Sequence, residues 1–292
     1  EPFAQWVLED KFTLGRPPFE DAGVQLVDDV VPYELMKLRL LNASHQSLAH
    51  WGRLLGFEFA HDAAADPDVA AFTRAYLEKE ALETLLPVPG IDLPQYVNTL
   101  FERFTNASIA DTLARLAQDA SDRMPKFVLP TVRDNLKENR SIKLGAAMCA
   151  AWALGMEGKA EDGSEIVVDD QQGDRLVALA ARERDGEDTA VISDEAVFGE
   201  LGSDPRFVEA FTEALKAIRA DGARAGPRGA PHREATSAGM FTTGPSRPST
   251  MKPSVVPWSR KARMRSAPGP ARRTGPPARW RVSRERKALT PR

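Results

Sequence analysis

The chain has 292 residues, 42% hydrophobic and 28% charged, with a formal net charge of −3. That length holds one large or two modest domains with a buried core, and no apolar run approaches the ~18 residues of a membrane-spanning helix, so no membrane partner is expected. The single cysteine, Cys149, excludes an intrachain disulfide framework and points to a reducing compartment, the cytoplasm.

The chain in order begins with QWVLEDKF, short and apolar enough for a strand or a buried helical turn. GRPPFEDAG reads as a loop, because Pro17 and Pro18 cannot continue regular structure. GVQLVDDVV is an extended entry that ends at Pro32. Met36 to Gly56 reads as one amphipathic helix with Gly56 as its C-cap. Asp66-Pro67-Asp68 starts the next helix, with an Asp cap and Pro at the first position. After the connector LPVPGIDLP come two more helices, LPQYVNTLFERF and SIADTLARLAQDA, the second capped by Ser108 with Asp111 in its first turn. RMPKFVLPTVRDNLKEN reads as a loop passing into a helix near Pro130. IKLGAAMCAAWALGM is apolar almost all round and is expected as a central buried helix, with Cys149 a small core residue. EGKAEDGSEIVVDDQQGD reads as an exposed polar loop, and the segments DRLVALAARER and PRFVEAFTEALKAIRA complete a mainly α-helical domain.

Two kinds of sequence meet near residue 222. From Asp221 onward there are 17 Lys and Arg against 3 Asp and Glu; of the chain's 39 basic and 42 acidic residues this leaves 22 and 39 before it. Half of the 22 prolines fall in the same stretch, and helical periodicity stops there. Residues 222–292 are therefore expected to be a disordered basic Pro- and Arg-rich tail, read either as an out-of-frame translation or a low-complexity extension. A non-enzymatic alternative makes it a polyanion-binding arm, with Trp258 and Trp280 as stacking groups, on a helical module; nucleic acid is not the favoured partner. Residues 1–30 read as an interdomain segment and 31–221 as the helical domain.

The residues that could carry chemistry cluster in the Met36–Gly56 stretch as K-x4-N-x2-H: Lys37, Asn42 and His45. On an ideal helix Asn42 and His45 are i, i+3 neighbours, whereas Lys37 lies ~12 Å from His45 along the axis. Either Lys37 sits at the helix start and bends over a substrate, or the helix is distorted there. Read alone, this is an amphipathic helix with a solvated lysine and a satisfied histidine. A lysine acts as a base near neutral pH only where burial or another cation weakens its hold on the proton. The 4 histidines are scattered and the cysteine is isolated, so no metal site is expected.

EPFAQWVLED, DDVVPYELMKLRLLNASH, LLPVPGIDLPQY and DASDRMPKFVLPTVRDNL together resemble the mannitol dehydrogenase family of zinc-independent long-chain polyol dehydrogenases, from Glu1 to about Ala223. The resemblance implies a multi-helix C-terminal domain like that of 6-phosphogluconate dehydrogenase. It also implies an N-terminal Rossmann domain binding NAD or NADP, for which no G-x-G-x-x-G element is found in this chain. It implies oxidation of a secondary alcohol, which needs a base for the hydroxyl proton, donors for the developing carbonyl oxygen and a hydride acceptor. Lys37 matches the family's catalytic lysine, the base, and Asn42 and His45 match its oxyanion-stabilising pair. Glu34 matches a proton-gating carboxylate, and Arg115 an arginine on substrate hydroxyls. Arg123 stands where some members carry a substrate-contacting lysine. The implied substrates are a small polyol and its ketose, D-mannitol and D-fructose, with hexuronate reduction or mannitol 1-phosphate oxidation as alternatives in the family. The expected state is a monomer. Read this way the chain is a C-terminal fragment, holding base and oxyanion donors without the cofactor site, and inactive on its own.

Overall fold

A computed structural model describes residues 5–228. The tail expected beyond Arg228, and the arm reading of it, lie outside the described residues. The two strands among the described residues are β1 (Val7–Glu9) and β2 (Gln25–Val27), paired in parallel with Leu8 opposite Leu26. The crossover between them carries a short 3-10 turn at Phe19–Ala22.

Among the described residues the elements named after β2 are helices joined by loops, and the central rod is longer than its sequence pattern suggests. It starts five residues before Met36, as α1 (Val31–Met36) with Pro32 in its first turn. It continues through a π turn at Lys37–Asn42 into α2 (Ala43–Leu54). The rod ends as its glycine predicts: Gly56 takes φ +80, its N–H meets the Arg53 carbonyl at 3.1 Å, and the Phe57 N–H reaches Gly52 at 2.9 Å. α3 (Ala60–Ala65) follows, then α4 (Pro67–Tyr76), whose Asp66 cap accepts the N–H groups of Asp68 and Val69 at 3.1 Å each. α4 runs into a second π turn at Leu77–Ala81. α5 (Leu93–Phe104) and α6 (Leu113–Ala117) come next, then α7 (Ala120–Phe127), α8 (Leu129–Lys137) and α9 (Lys143–Gly155). α10 (Gly173–Arg184), α11 (Glu195–Phe198), α12 (Pro205–Asp221) and α13 (Ala225–Arg228) complete the order.

α9 is the buried axle that its sequence implies. Leu144 to Ala153 are all buried, and the helix packs against α2 on one side and α12 on the other. A row of rings runs outward from it: Trp152 to Phe198 at 5.9 Å, Phe198 to Phe207 at 5.9 Å, Phe207 to Phe211 at 6.3 Å. Each fully buried ring of this kind contributes ~1.5–3 kcal/mol. Cys149 is fully buried, and burial pushes its thiol up, as befits a core residue.

Two expectations need correction. Ser108 does not cap α6: the helix begins five residues later, and Thr112 Oγ1 accepts the Arg115 N–H, so Asp111 precedes the helix. RMPKF is helix rather than loop, because α7 carries Pro125 near its end and stops two residues later at Phe127. Beyond residue 221 the described chain continues into α13. Arg224 pairs with Asp66 at 2.9 Å and Arg228 with Asp68 at 2.9 Å, binding α13 to the start of α4. Gly226 lies so close to the buried Trp51 that a Cβ there would stand 2.0 Å from a ring carbon. The lost helical period at Gly222 marks a corner, with the chain still packed beyond it.

Candidate functional site

The rod carries an extra residue per turn where the K-x4-N spacing falls. The Ala43 N–H reaches the Leu38 carbonyl, five residues back, in place of the four of an α-helix. On an α-helix, Lys37 and Asn42 would point about 140° apart. A turn that closes on i+5 brings them nearly above one another. Asn42 and His45 then follow at ordinary i, i+3 spacing. Burial follows this geometry: Glu34 and Lys37 are exposed and Asn42 and His45 half-buried, while Met36, Arg39, Leu40, Ala43 and Ser44 turn inward. The inward side is anchored by Arg39, which donates to Asp134 at 2.7 Å and to the Thr84 carbonyl at 3.0 Å. Of the two alternatives for Lys37, the distorted helix is the one observed.

His45 opens into a pocket of about 520 Å³ counted to its open mouth, with Leu41, His61, Arg103, Phe104, Asn106 and Asp111 among its lining residues. The space that a water molecule can occupy in it is about 120 Å³, below the range usual for small-molecule sites. The His45 ring lies 5.2 Å from Phe104. Burial lowers its pKa to about 4; Arg115, Arg103 and Arg123 push the same way and Asp111 opposes them. At neutral pH it is therefore a neutral imidazole with one N–H to donate.

The predicted site residues are brought together unevenly. His45, Arg115 and Arg123 share one electrostatic neighbourhood. Arg115 is exposed and gripped by Asp111, Nε to Oδ1 at 2.6 Å and Nη2 to the other oxygen. Arg123 donates to the Leu116 carbonyl at 2.9 Å and the Arg115 carbonyl at 3.2 Å, fixing the C-terminal end of α6. Of the predicted site residues only His45 lines the pocket: Arg115 and Arg123 lie outside its lining, and so do the exposed Glu34 and Lys37 and the half-buried Asn42 on the rod. The burial required of a lysine base is not supplied by these residues, since Lys37 is exposed. Sequence reasoning missed His61, Arg103, Asn106 and Asp111 as pocket residues.

Among the described residues, the one junction where a strand leads into an α-helix is β2 to α1. There Asp29 takes the Val31 N–H at 2.9 Å, with Asp28 beside it. A phosphate would meet carboxylates in place of free N–H donors.

Residues 29–219 match the family model of the mannitol dehydrogenase C-terminal domain. The chain is 37% identical over 226 residues to a mannitol 2-dehydrogenase of Aspergillus niger, covering 76% of this chain and 46% of the relative. It is 38% identical over 221 residues to mannitol dehydrogenase 2 of Saccharomyces cerevisiae, covering 75% and 44%. Among solved structures it is similar to a Pseudomonas fluorescens mannitol 2-dehydrogenase in ternary complex with NAD and D-mannitol, with a TM-score of 0.73, 39% identity, and 78% and 46% of the two chains covered. A D-sorbitol dehydrogenase in substrate-free form gives a TM-score of 0.70 at 32% identity, covering 77% and 46%. The chain spans about half the length of the curated relatives it matches.

Proposed function

The chain belongs to the mannitol dehydrogenase family, as that family's C-terminal domain, and we propose that it is the substrate and catalytic half of an NAD-dependent polyol dehydrogenase acting on D-mannitol. The observation that carries this reading is the π turn. It lines up Lys37, Asn42 and His45 on one face of a rod whose other side is buried. In this reading Lys37 takes the hydroxyl proton and Glu34, exposed one turn earlier, passes it to solvent. The Asn42 amide and the neutral His45 imidazole donate to the oxygen as it becomes a carbonyl. A nicotinamide, when bound, would supply the hydride acceptor. Arg115 meets the substrate's remaining hydroxyls, and Arg123 holds the turn from which Arg115 reaches.

The charge pattern favours a neutral polyol over a hexuronate or sugar phosphate. Arg115 already faces a carboxylate, and Arg123 already serves two carbonyls. A substrate carboxylate or phosphate would have to displace Asp111 from its own arginine, while hydroxyls need only the donors that the fork leaves over. The test is NADH formation by the full-length protein with D-mannitol or mannitol 1-phosphate, and NADH consumption with D-fructose or D-fructuronate. The expected result is a kcat/KM at least tenfold higher for the D-mannitol and D-fructose couple, with little or no turnover by residues 1–292 alone. Preference for an anionic substrate, or no polyol turnover in the full-length protein, would overturn it.

A further inference from the structure

We propose that Asp111 is a positioning residue of this pocket, holding the Arg115 guanidinium in the orientation in which it meets the substrate; the inference rests on the polyol reading above. The Asp111 carboxylate takes the Nε–H of Arg115 at 2.6 Å and one Nη2–H with its second oxygen. A guanidinium has five N–H donors in a rigid plane. The fork occupies two and leaves three, directed by the plane that Asp111 sets. Even in the fork the Arg115 side chain is 61% accessible, so without Asp111 it would be free to spread over many rotamers.

Asp111 can act as an anchor because its own backbone is fixed. Its carbonyl accepts the Ala60 N–H at 2.8 Å, and the Leu113 N–H donates to the Glu58 carbonyl at 2.9 Å. These bonds form an antiparallel bridge between Phe59 and Thr112. Ala60 and His61, on one side of the bridge, line the same pocket as Asp111 on the other. The bridge therefore ties the wall that carries His61 to the wall that carries the Arg115 anchor. Thr112, beside Asp111, accepts the Arg115 backbone N–H, so the arginine is held at both its backbone and its head group. An i, i+4 ion pair on a helix surface is by itself worth little. Here the acidic partner faces the pocket and is set in a backbone bridge.

A double-mutant cycle in the full-length protein decides between a positioning role and an ordinary surface pair. Asp111→Ala, Arg115→Ala and the double variant are assayed for polyol oxidation, with thermal midpoints as a fold control. Asp111→Ala should raise the KM for D-mannitol about tenfold and leave the KM for NAD within twofold. The double variant should be no worse than Arg115→Ala alone, and Asp111→Glu should recover part of the loss. An unchanged polyol KM in Asp111→Ala would contradict the proposal, and so would a full additive loss in the double variant. An inactive wild type would instead bring down the polyol reading, and this inference with it.

Discussion

The molecule uses the same backbone device twice, to opposite ends. The π turn at Lys37–Asn42 leaves Glu34, Lys37, Asn42 and His45 on the side that keeps surface. The π turn at Leu77–Ala81, where the Leu82 N–H reaches back five residues to Leu77, drives Glu80 into the core. There its carboxylate takes the N–H groups of Leu144 and Gly145 at 2.8 Å each and the Ser141 hydroxyl at 3.3 Å. It caps α9 from a distance, since Ile142 at that helix's start offers no side-chain cap. The two turns are joined through Arg39, on the first, which donates to the Thr84 carbonyl just past the second. A π turn re-aims one side chain, and what that side chain then meets decides its role. Glu80 finds its partners in the protein and becomes scaffold, whereas Lys37 and Asn42 face outward, where a substrate can supply them.

The largest expected effect breaks the inward turn. Glu80→Ala strips two buried N–H groups of their acceptor and should cost ~3–5 kcal/mol in urea unfolding. Next comes its close packing. A Cβ at Gly145 would stand 2.6 Å from Val132 Cγ2 and 3.3 Å from Glu80 Oε2, so Gly145→Ala should destabilise by ~1–3 kcal/mol.

The pH dependence sharpens the comparison, because the two turns respond with opposite signs. Burial raises the Glu80 pKa from 4.5 to about 7, against the pull of its N–H donors. The folded state then holds the proton more tightly than the unfolded chain. The associated stability is complete below about 4.5 and lost as pH rises through 7. His45 is lowered from 6.5 to about 4, so its contribution is complete above 6.5 and lost as pH falls towards 4. Unfolding free energies from pH 4.5 to 8 should show Glu80→Gln reducing the decline towards neutral pH and His45→Gln reducing the decline towards acid. Glu183, raised to about 7, and His50, lowered to about 3, add slopes of the same two signs, so each variant reduces its slope without abolishing it.

Much of the scaffold was legible because its signals are local. The Asp66-Pro67-Asp68 start, the all-round apolar run of α9 and the Gly56 stop each depend on a few neighbouring residues, and each is found where the sequence places it. The K-x4-N-x2-H spacing held the clue to the first π turn, since five residues cannot bring Lys37 and Asn42 to one face of an α-helix. Helical periodicity alone does not reveal an inserted residue, so the distortion stayed one of two readings. The second π turn left no comparable trace. Glu80 meets Leu144 and Gly145, more than sixty positions away, and no local pattern records such a partner. The pocket around His45 was hidden for the same reason. Its walls come from α2, α3, α5 and the segment before α6, and the Phe59–Thr112 bridge that joins two of them is a pairing of single residues.

The most direct test of the outward turn is Lys37→Ala in the full-length protein, with D-mannitol turnover and thermal midpoint measured on the same preparation. Lys37 is exposed, so its loss should leave stability within ~0.5 kcal/mol. As general base, its loss should lower kcat by ~100-fold or more. Turnover retained, or lost only together with the fold, would contradict the assignment of this face of the rod to catalysis.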